Sequence, residues 1–310
     1  MEEIIKIVIA GLDNAGKTSI LTALDKKYDF SKDIISLTPT IRVEYHAMEF
    51  LTNKVVFWDL GGQEKYREMY QAKQELYFAG TDLLLFVIDI QDKERFETSL
   101  NYLDMILSHF LEHKLEIPLI IAFHKYDPEM RSNDIILNDA DTLRTSINNK
   151  YPTFKVLYQL TSIFDIISIV QLISYGLSVF DERFFDLSEL LEHYLGVFES
   201  KSLIIFDKNG IIISEFYNSI IEPEIYIEFL EGIKEHLFLL KRMQEESYEA
   251  DSSFSVIGNE LLSYLHKLKI GDQSFFASVI IKEDHKEEFL EKFSDFLVDV
   301  SKILELLIKG

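Results

Sequence analysis

Residues Gly11-Leu12-Asp13-Asn14-Ala15-Gly16-Lys17-Thr18 follow the spacing G-x-x-x-x-G-K-[ST]. They lie between a β-branched run, Ile4–Ala10, and a helical pattern over about 16–28. In that setting glycines let the backbone curl round phosphate groups. The amides of Asp13, Asn14, Ala15, Gly16 and Ser19 turn inward, and the helix N-terminus adds a favourable dipole. The Lys17 ammonium is expected to reach β- and γ-phosphates, and the Thr18 hydroxyl to bind Mg²⁺.

Two further stretches supply what a phosphate loop needs. Trp58-Asp59-Leu60-Gly61-Gly62-Gln63 stands at the end of a strand pattern. Asp59 there can hold the metal, through water, while Gly62 offers its N–H to a γ-phosphate and Gln63 can orient an attacking water. Pro39-Thr40-Ile41 precedes another strand, and Thr40 is placed to cap the metal only when a γ-phosphate is present.

The base of a nucleotide has its own candidates. Pro118–Phe123 is an apolar strand ending in His124-Lys125-Tyr126-Asp127. A carboxylate at Asp127 can accept hydrogen bonds from guanine N1–H and N2–H₂, a donor pair that adenine lacks. The Lys125 stem can lie over the base face. Thr161-Ser162-Ile163 follows a further strand, and the amides of Ser162 and Ile163 can meet guanine O6. Two plainer readings stay open here: His124 as a buried structural histidine, and Asp127 as a helix cap or turn residue. Taken together, the loops point to Mg²⁺·GTP or GDP as the bound species. The residues expected to act on it are Gln63, Lys17 and Gly62.

These loops need a sheet to gather them. Strands are expected at 4–10, 43–51, 55–60, 83–90 and 118–123, and helices at about 93–113, 136–149 and 165–180. Alternation of this kind implies crossovers and a mostly parallel, doubly wound α/β sheet, whose loops converge at one rim. After residue 182 the pattern changes. Asp186 with Glu189 resembles a capping box for a helix near 187–199. Asp207-Lys208-Asn209-Gly210 between apolar runs signals a hairpin. Pro223 suits the start of a helix with Phe229, Leu230, Ile233, Leu237 and Leu240 on one face. Three strand-like pieces follow, then a helix over 284–308 with Phe289, Phe293, Phe296, Val300, Ile303 and Leu307. We therefore expect domains at 1–182 and 183–310, the second of α+β type.

With 31 Lys and Arg against 53 Asp and Glu, the net charge is −22, which disfavours nucleic acid and anionic membranes as partners. At 47% hydrophobic and 13% aromatic residues, the chain can fill two cores. It contains no cysteine, so thiolate and disulfide chemistry are excluded. No signal peptide, myristoylation glycine, prenylatable cysteine or spanning apolar run is visible, so no intrinsic membrane anchor is expected. A cytoplasmic location follows, peripheral to a membrane only through partners.

The residues quoted resemble those of the Ras-superfamily small GTPases, nearest the Arf and Rag branches. Gly11–Ser19 is similar to the Arf phosphate loop; His124–Asp127, Thr161–Asp165 and Pro39–Glu44 are similar to Rag proteins. That resemblance implies a P-loop GTPase domain followed by a roadblock/longin-like domain that forms a homo- or heterodimer. It also implies switching between GTP and GDP states, with activating and exchange proteins as partners. Hydrolysis is expected to be slow. The competing reading is an assembly scaffold with structural GTP and no physiological hydrolysis, against which the presence of Gln63 argues. An ATP-using phosphate-loop protein would require Asp127 to be irrelevant.

Overall fold

The computed structural model describes residues 4–26, 37–131, 133–218, 223–245, 252–257 and 260–309. These divide into two compact units, one of Met1–Glu49 with Asn53–Leu172 and the other of Phe50–Thr52 with Ile173–Gly310.

The first unit is built on six strands: β1 (Ile4–Gly11), β2 (Val43–Phe50), β3 (Asn53–Leu60), β4 (Leu83–Asp89), β5 (Leu119–His124) and β6 (Val156–Thr161). They lie in the order β2-β3-β1-β4-β5-β6. Pairings β1–β3, β1–β4, β4–β5 and β5–β6 are all parallel. The helices are α1 (Lys17–Lys26), α2 (Glu64–Ala72), α3 (Gln74–Phe78), α4 (Phe96–Glu112), α5 (Asp134–Lys150) and α6 (Ile166–Ser178). Strands β4 and β5 read as unbroken apolar runs because both of their faces are covered. Val8, Ala10, Leu84, Phe86, Ile121 and Phe123 share one core with Tyr102, Leu103, Ile106 and Phe110 of α4. Ala140, Leu143 and Ile147 of α5 close the same core.

Because these strands run parallel, their C-terminal ends share one rim. There β1 leads into the loop before α1, β3 ends at Leu60, and β5 and β6 end at His124 and Thr161. A strand order that reverses direction about β1 leaves a crevice at that rim, where such sheets bind ligands.

The second unit carries α7 (Arg183–Val197), β7 (Ser202–Asp207), β8 (Ile212–Tyr217), α8 (Pro223–Glu245), β9 (Ser252–Ile257), β10 (Leu261–Ile270), β11 (Gln273–Lys282) and α9 (Lys286–Lys309). Its five strands form an antiparallel sheet, β8-β7-β11-β10-β9. Helices cover both faces. Gly232 of α8 lies against Ile257 and Ile280, and His236 bonds Ser278 at 2.6 Å. On the other face Phe289 and Phe293 of α9 meet Tyr264 at ring separations of 5.3 and 5.1 Å. This is an antiparallel α+β module, distinct in topology from the first sheet.

Details depart from the sequence expectations for physical reasons. Helix α7 begins at Arg183 with Glu182 at its N-cap, so Asp186 sits inside its first turn; Asp181 accepts the Arg183 N–H at 2.9 Å. In α9 the buried position is Leu304, with Ile303 only half-buried, because a helical stripe drifts when followed at a fixed spacing. Helices α2 and α3 follow Gln63 directly, in a segment whose periodicity is too short to read. Ile233, Leu237 and Leu240 are buried as expected, while the side chains of Phe229 and Leu230 lie outside the described residues. Among the described residues no helix is long and apolar enough to cross a membrane.

Candidate nucleotide site

The loop leaving β1 turns through Asn14 and Gly16, both with positive φ, at 61° and 96°. A side chain at Gly16 is barred twice. That backbone is strained for L residues, and a Cβ would stand 2.3 Å from the His124 ring. The Lys17 ammonium donates to the carbonyls of Gly11 and Leu12 at 3.1 and 2.8 Å, so the buried charge is held by the loop itself. Burial draws the Lys17 pKa down to about 8, opposed by Asp59 and Asp13. An anion in the loop would offset that desolvation.

Beside Lys17 three side-chain oxygens meet. Thr18 Oγ1 donates to Asp59 Oδ2 at 2.5 Å and stands 2.9 Å from Thr40 Oγ1, while Thr40 Oγ1 reaches the same carboxylate oxygen at 3.3 Å. Asp59 is fully buried, and burial raises its pKa despite the nearby Lys17. Its Oδ1 is buried with no hydrogen-bond partner. A hard divalent cation takes such an oxygen set, with a carboxylate and hydroxyls, and would relieve both the orphaned oxygen and the buried charge. The residues present therefore fit Mg²⁺.

The loops carrying Thr40 and Gly62 are fastened to each other. Gly61 N–H donates to the Arg42 carbonyl at 2.7 Å, and the Tyr70 hydroxyl donates to that carbonyl at 2.6 Å. Gly62 passes so close to the phosphate loop that a Cβ would stand 2.2 Å from Asp13 N, which is why glycine is required. Asp13, Asn14, Gly16, Lys17, Thr18, Ser19, Thr40, Gly62 and Gln63 line one cleft, of about 800 Å³ including its open mouth. Ala15 is buried in the loop behind it.

Two arginines near this cleft are engaged elsewhere. Arg67 Nε donates to the Gly62 carbonyl at 3.1 Å. Arg95, in the turn before α4, donates to Asp13 Oδ1 at 2.5 Å and to the Asp13 carbonyl at 3.1 Å. Asp13 thus brings less negative charge to the phosphate loop than its sequence position suggests. Nothing in the sequence marks Arg95 as its partner, because 82 positions separate them.

At the other end of the rim, Asp127 Oδ1 accepts from Ser162 Oγ at 2.6 Å, and Asp127 Oδ2 accepts from Gln91 Nε2 at 3.2 Å. Although Asp127 precedes a short helical turn, its side chain makes no cap bond there. Gln91 also donates to the Lys125 carbonyl at 2.7 Å, and the Lys125 ammonium pairs with Asp89 at 2.7 Å. Lys125 itself has a positive φ of 64°. The Ser162 N–H is donated to Ser168 Oγ at 3.1 Å, so Ile163 carries the other candidate amide of that loop. Gln91 and Ser168 escape sequence reasoning because a glutamine past a strand end and a serine in a helix are common surface types.

His124 is the structural hinge of the rim. It is buried, its Nδ1 lies 2.9 Å from Thr161 Oγ1, and its ring packs on Gly16. It therefore joins the ends of β5 and β6 to the phosphate loop. Burial, helped by the Lys125 charge, drops its pKa to about 3. A histidine held neutral in the fold but free to protonate near 6.5 when unfolded makes the unfolded state bind more protons. Stability should then fall as pH drops from 6.5 toward 3, by on the order of 1 kcal/mol per pH unit for this residue. His124→Asn, which keeps a hydrogen-bonding group without the titration, should flatten the decline of Tm between pH 6.5 and 4. An unchanged slope would show that His124 is not buried neutral.

With this geometry in view, comparison with known proteins is informative. Residues 1–153 match the model of the ADP-ribosylation factor family. ADP-ribosylation factor-like protein 5A of Bos taurus and that of Homo sapiens are each 32% identical to this chain over 123 residues, 39% of this chain and 62% of theirs. The chain thus spans less than two thirds of the length of these relatives. The structure of the Arl6 BBS3 small GTPase from Trypanosoma brucei with bound nucleotide analogue GppNp is 17% identical. It covers 57% of this chain and 96% of that one, at a TM-score of 0.46. Over residues 1–153, just under half of its length, this chain is therefore similar to the small GTPase domains of the Arf family, and its phosphate loop lies within that stretch.

Proposed function

We propose that the chain is a guanine-nucleotide switch that binds Mg²⁺ with GTP or GDP and hydrolyses GTP slowly. The observation that carries this reading is the meeting of Thr18, Thr40 and Asp59 oxygens beside a buried lysine and a glycine-gated loop. Lys17 and the amides of Asp13, Asn14, Ala15, Gly16, Thr18 and Ser19 hold the phosphates. Thr18, Thr40 and Asp59 would hold the metal, Asp59 through water. When bound, the metal neutralises charge on the phosphate oxygens. Gly62 donates its amide to the γ-phosphate, and Gln63 orients the water. Asp127 selects guanine, with Lys125 against its face, the Ser162 and Ile163 loop at O6, and His124 holding the loops together.

The switching element on this reading is the pair of loops tied through Arg42 and Gly61. Losing the γ-phosphate removes a ligand from Thr40 and Gly62, and the tie makes the two loops relax together. Slow hydrolysis accords with the two arginines described beside the cleft: Arg95 is bonded to Asp13 and Arg67 to a carbonyl, so an arginine joining Lys17 at the γ-phosphate would be supplied by an activating protein.

Three outcomes test this. Nucleotide released from purified protein and identified by mass spectrometry should be GDP or GTP; ATP or ADP would refute the base assignment. Asp127→Ala should weaken guanine preference over adenine at least tenfold. Single-turnover hydrolysis should fall at least tenfold in Gln63→Leu. Equal, negligible rates in both proteins would favour a scaffold with structural GTP instead.

For residues 183–310 we propose a roadblock/longin-like dimerisation domain, as in Rag proteins. Supporting it is the order helix, two strands, helix, three strands, helix around a single antiparallel sheet. Phe185, Phe238 and Val298 are exposed apolar residues of that unit. Light scattering of the whole chain should give the mass of a dimer, or of a heterodimer once its partner is supplied; a monomer under both conditions would contradict it.

A further inference from the structure

We infer that the first unit carries a second cation site, formed by Glu75, His109 and His113, that takes a borderline transition metal of the Zn²⁺ type. It is separate from the nucleotide site and independent of its function. His109 stands in the last turn of α4 and His113, four residues on, is its C-cap, so their rings lie side by side, with centroids 4.3 Å apart. His113 Nδ1 lies 2.8 Å from the His109 carbonyl, which can only accept, so Nδ1 carries a proton and Nε2 is the nitrogen left to ligate in the neutral ring. That Nε2 stands 3.6 Å from Glu75 Oε2, and His109 Nε2 stands 3.9 Å from the same oxygen.

These separations are too long for N–H···O hydrogen bonds. They approach the spacing of about 3.3 Å between neighbouring ligand atoms that follows from metal–ligand bonds of about 2.0–2.1 Å in tetrahedral geometry. All three ligand atoms lie within 4.8 Å of one another. His109 supplies the independent sign. Its ring is only 3% exposed, and its Nε2 is buried with no hydrogen-bond partner. Two imidazoles and one carboxylate form a donor set for Zn²⁺, Ni²⁺ or Co²⁺ rather than Mg²⁺. Glu75 is well exposed and His113 half-exposed, giving a way in, and the net charge of −22 favours cations near the surface. A bound cation would fasten α3 to α4. Only Lys73 separates α3 from α2, the helix that follows Gln63, so the segment downstream of that glutamine would be pinned.

The test uses the full chain without affinity tag, loaded with GDP in excess Mg²⁺ so that the nucleotide site is filled. Co²⁺ is titrated and followed by its visible absorption, then displaced with Zn²⁺. The site should take one equivalent of Co²⁺ with intense tetrahedral-type bands, and Zn²⁺ should abolish them stoichiometrically. His113→Asn and Glu75→Gln, both at exposed or half-exposed positions, should each weaken Co²⁺ binding at least tenfold while nucleotide retention stays unchanged. Absence of a saturable band would overturn the inference. So would a titration unaffected by either substitution, or one lost in Asp59→Asn instead, which would assign the metal to the nucleotide site.

Discussion

Asp59 is a carboxylate with no contact with solvent, and the arrangement of the first unit depends on what compensates it. Removing such a charge from water costs several kcal/mol unless partners replace the lost hydration. The Thr18 and Thr40 hydroxyls and the field of Lys17 supply part of that compensation, yet Oδ1 remains unpaired. A fold that delivers three oxygens and a lysine to one point from three separate segments is built for charge that arrives with a ligand. The parallel sheet makes this delivery possible, since β1 and β3 end side by side at the same rim. The loop carrying Thr40 is then tied to the end of β3 through Arg42 and Gly61.

The same economy of contacts governs the base end. His124 occupies the gap over Gly16 that any side chain would close, and its bond to Thr161 locks the ends of β5 and β6 together. Asp127 is aimed by Ser162 and Gln91 rather than used as a helix cap. Its two oxygens are already hydrogen-bonded by neutral side chains, partners that a base with two adjacent donors can replace. Arg67 and Arg95 are bonded to the Gly62 carbonyl and to Asp13.

Much of this was legible in the residues because it rests on local chemistry. A glycine-rich turn followed by Lys17 and Thr18 has few other uses between a strand and a helix, and Asp59 at a strand end follows from the same logic. Apolar runs located β4 and β5, and the Asn209-Gly210 turn located the β7–β8 hairpin. Long-range pairings were not legible. Arg95 with Asp13, Gln91 with Asp127, and Tyr70 with the Arg42 carbonyl depend on how the chain folds back, and none leaves a periodic trace. Sequence left His124 open between two roles; in the fold it is buried against Gly16. The capping reading of Asp186 failed because the helix starts at Arg183, three residues before it.

The central claim is that nucleotide retention runs through a cation held at Thr18, Thr40 and Asp59. The most direct measurement is the dissociation rate of a fluorescent GDP analogue, with and without a chelator of divalent ions. Chelation should speed release at least tenfold in the unmodified protein, whereas Asp59→Asn should release quickly in Mg²⁺ and respond little to the chelator. Identical slow release under all these conditions would contradict the account.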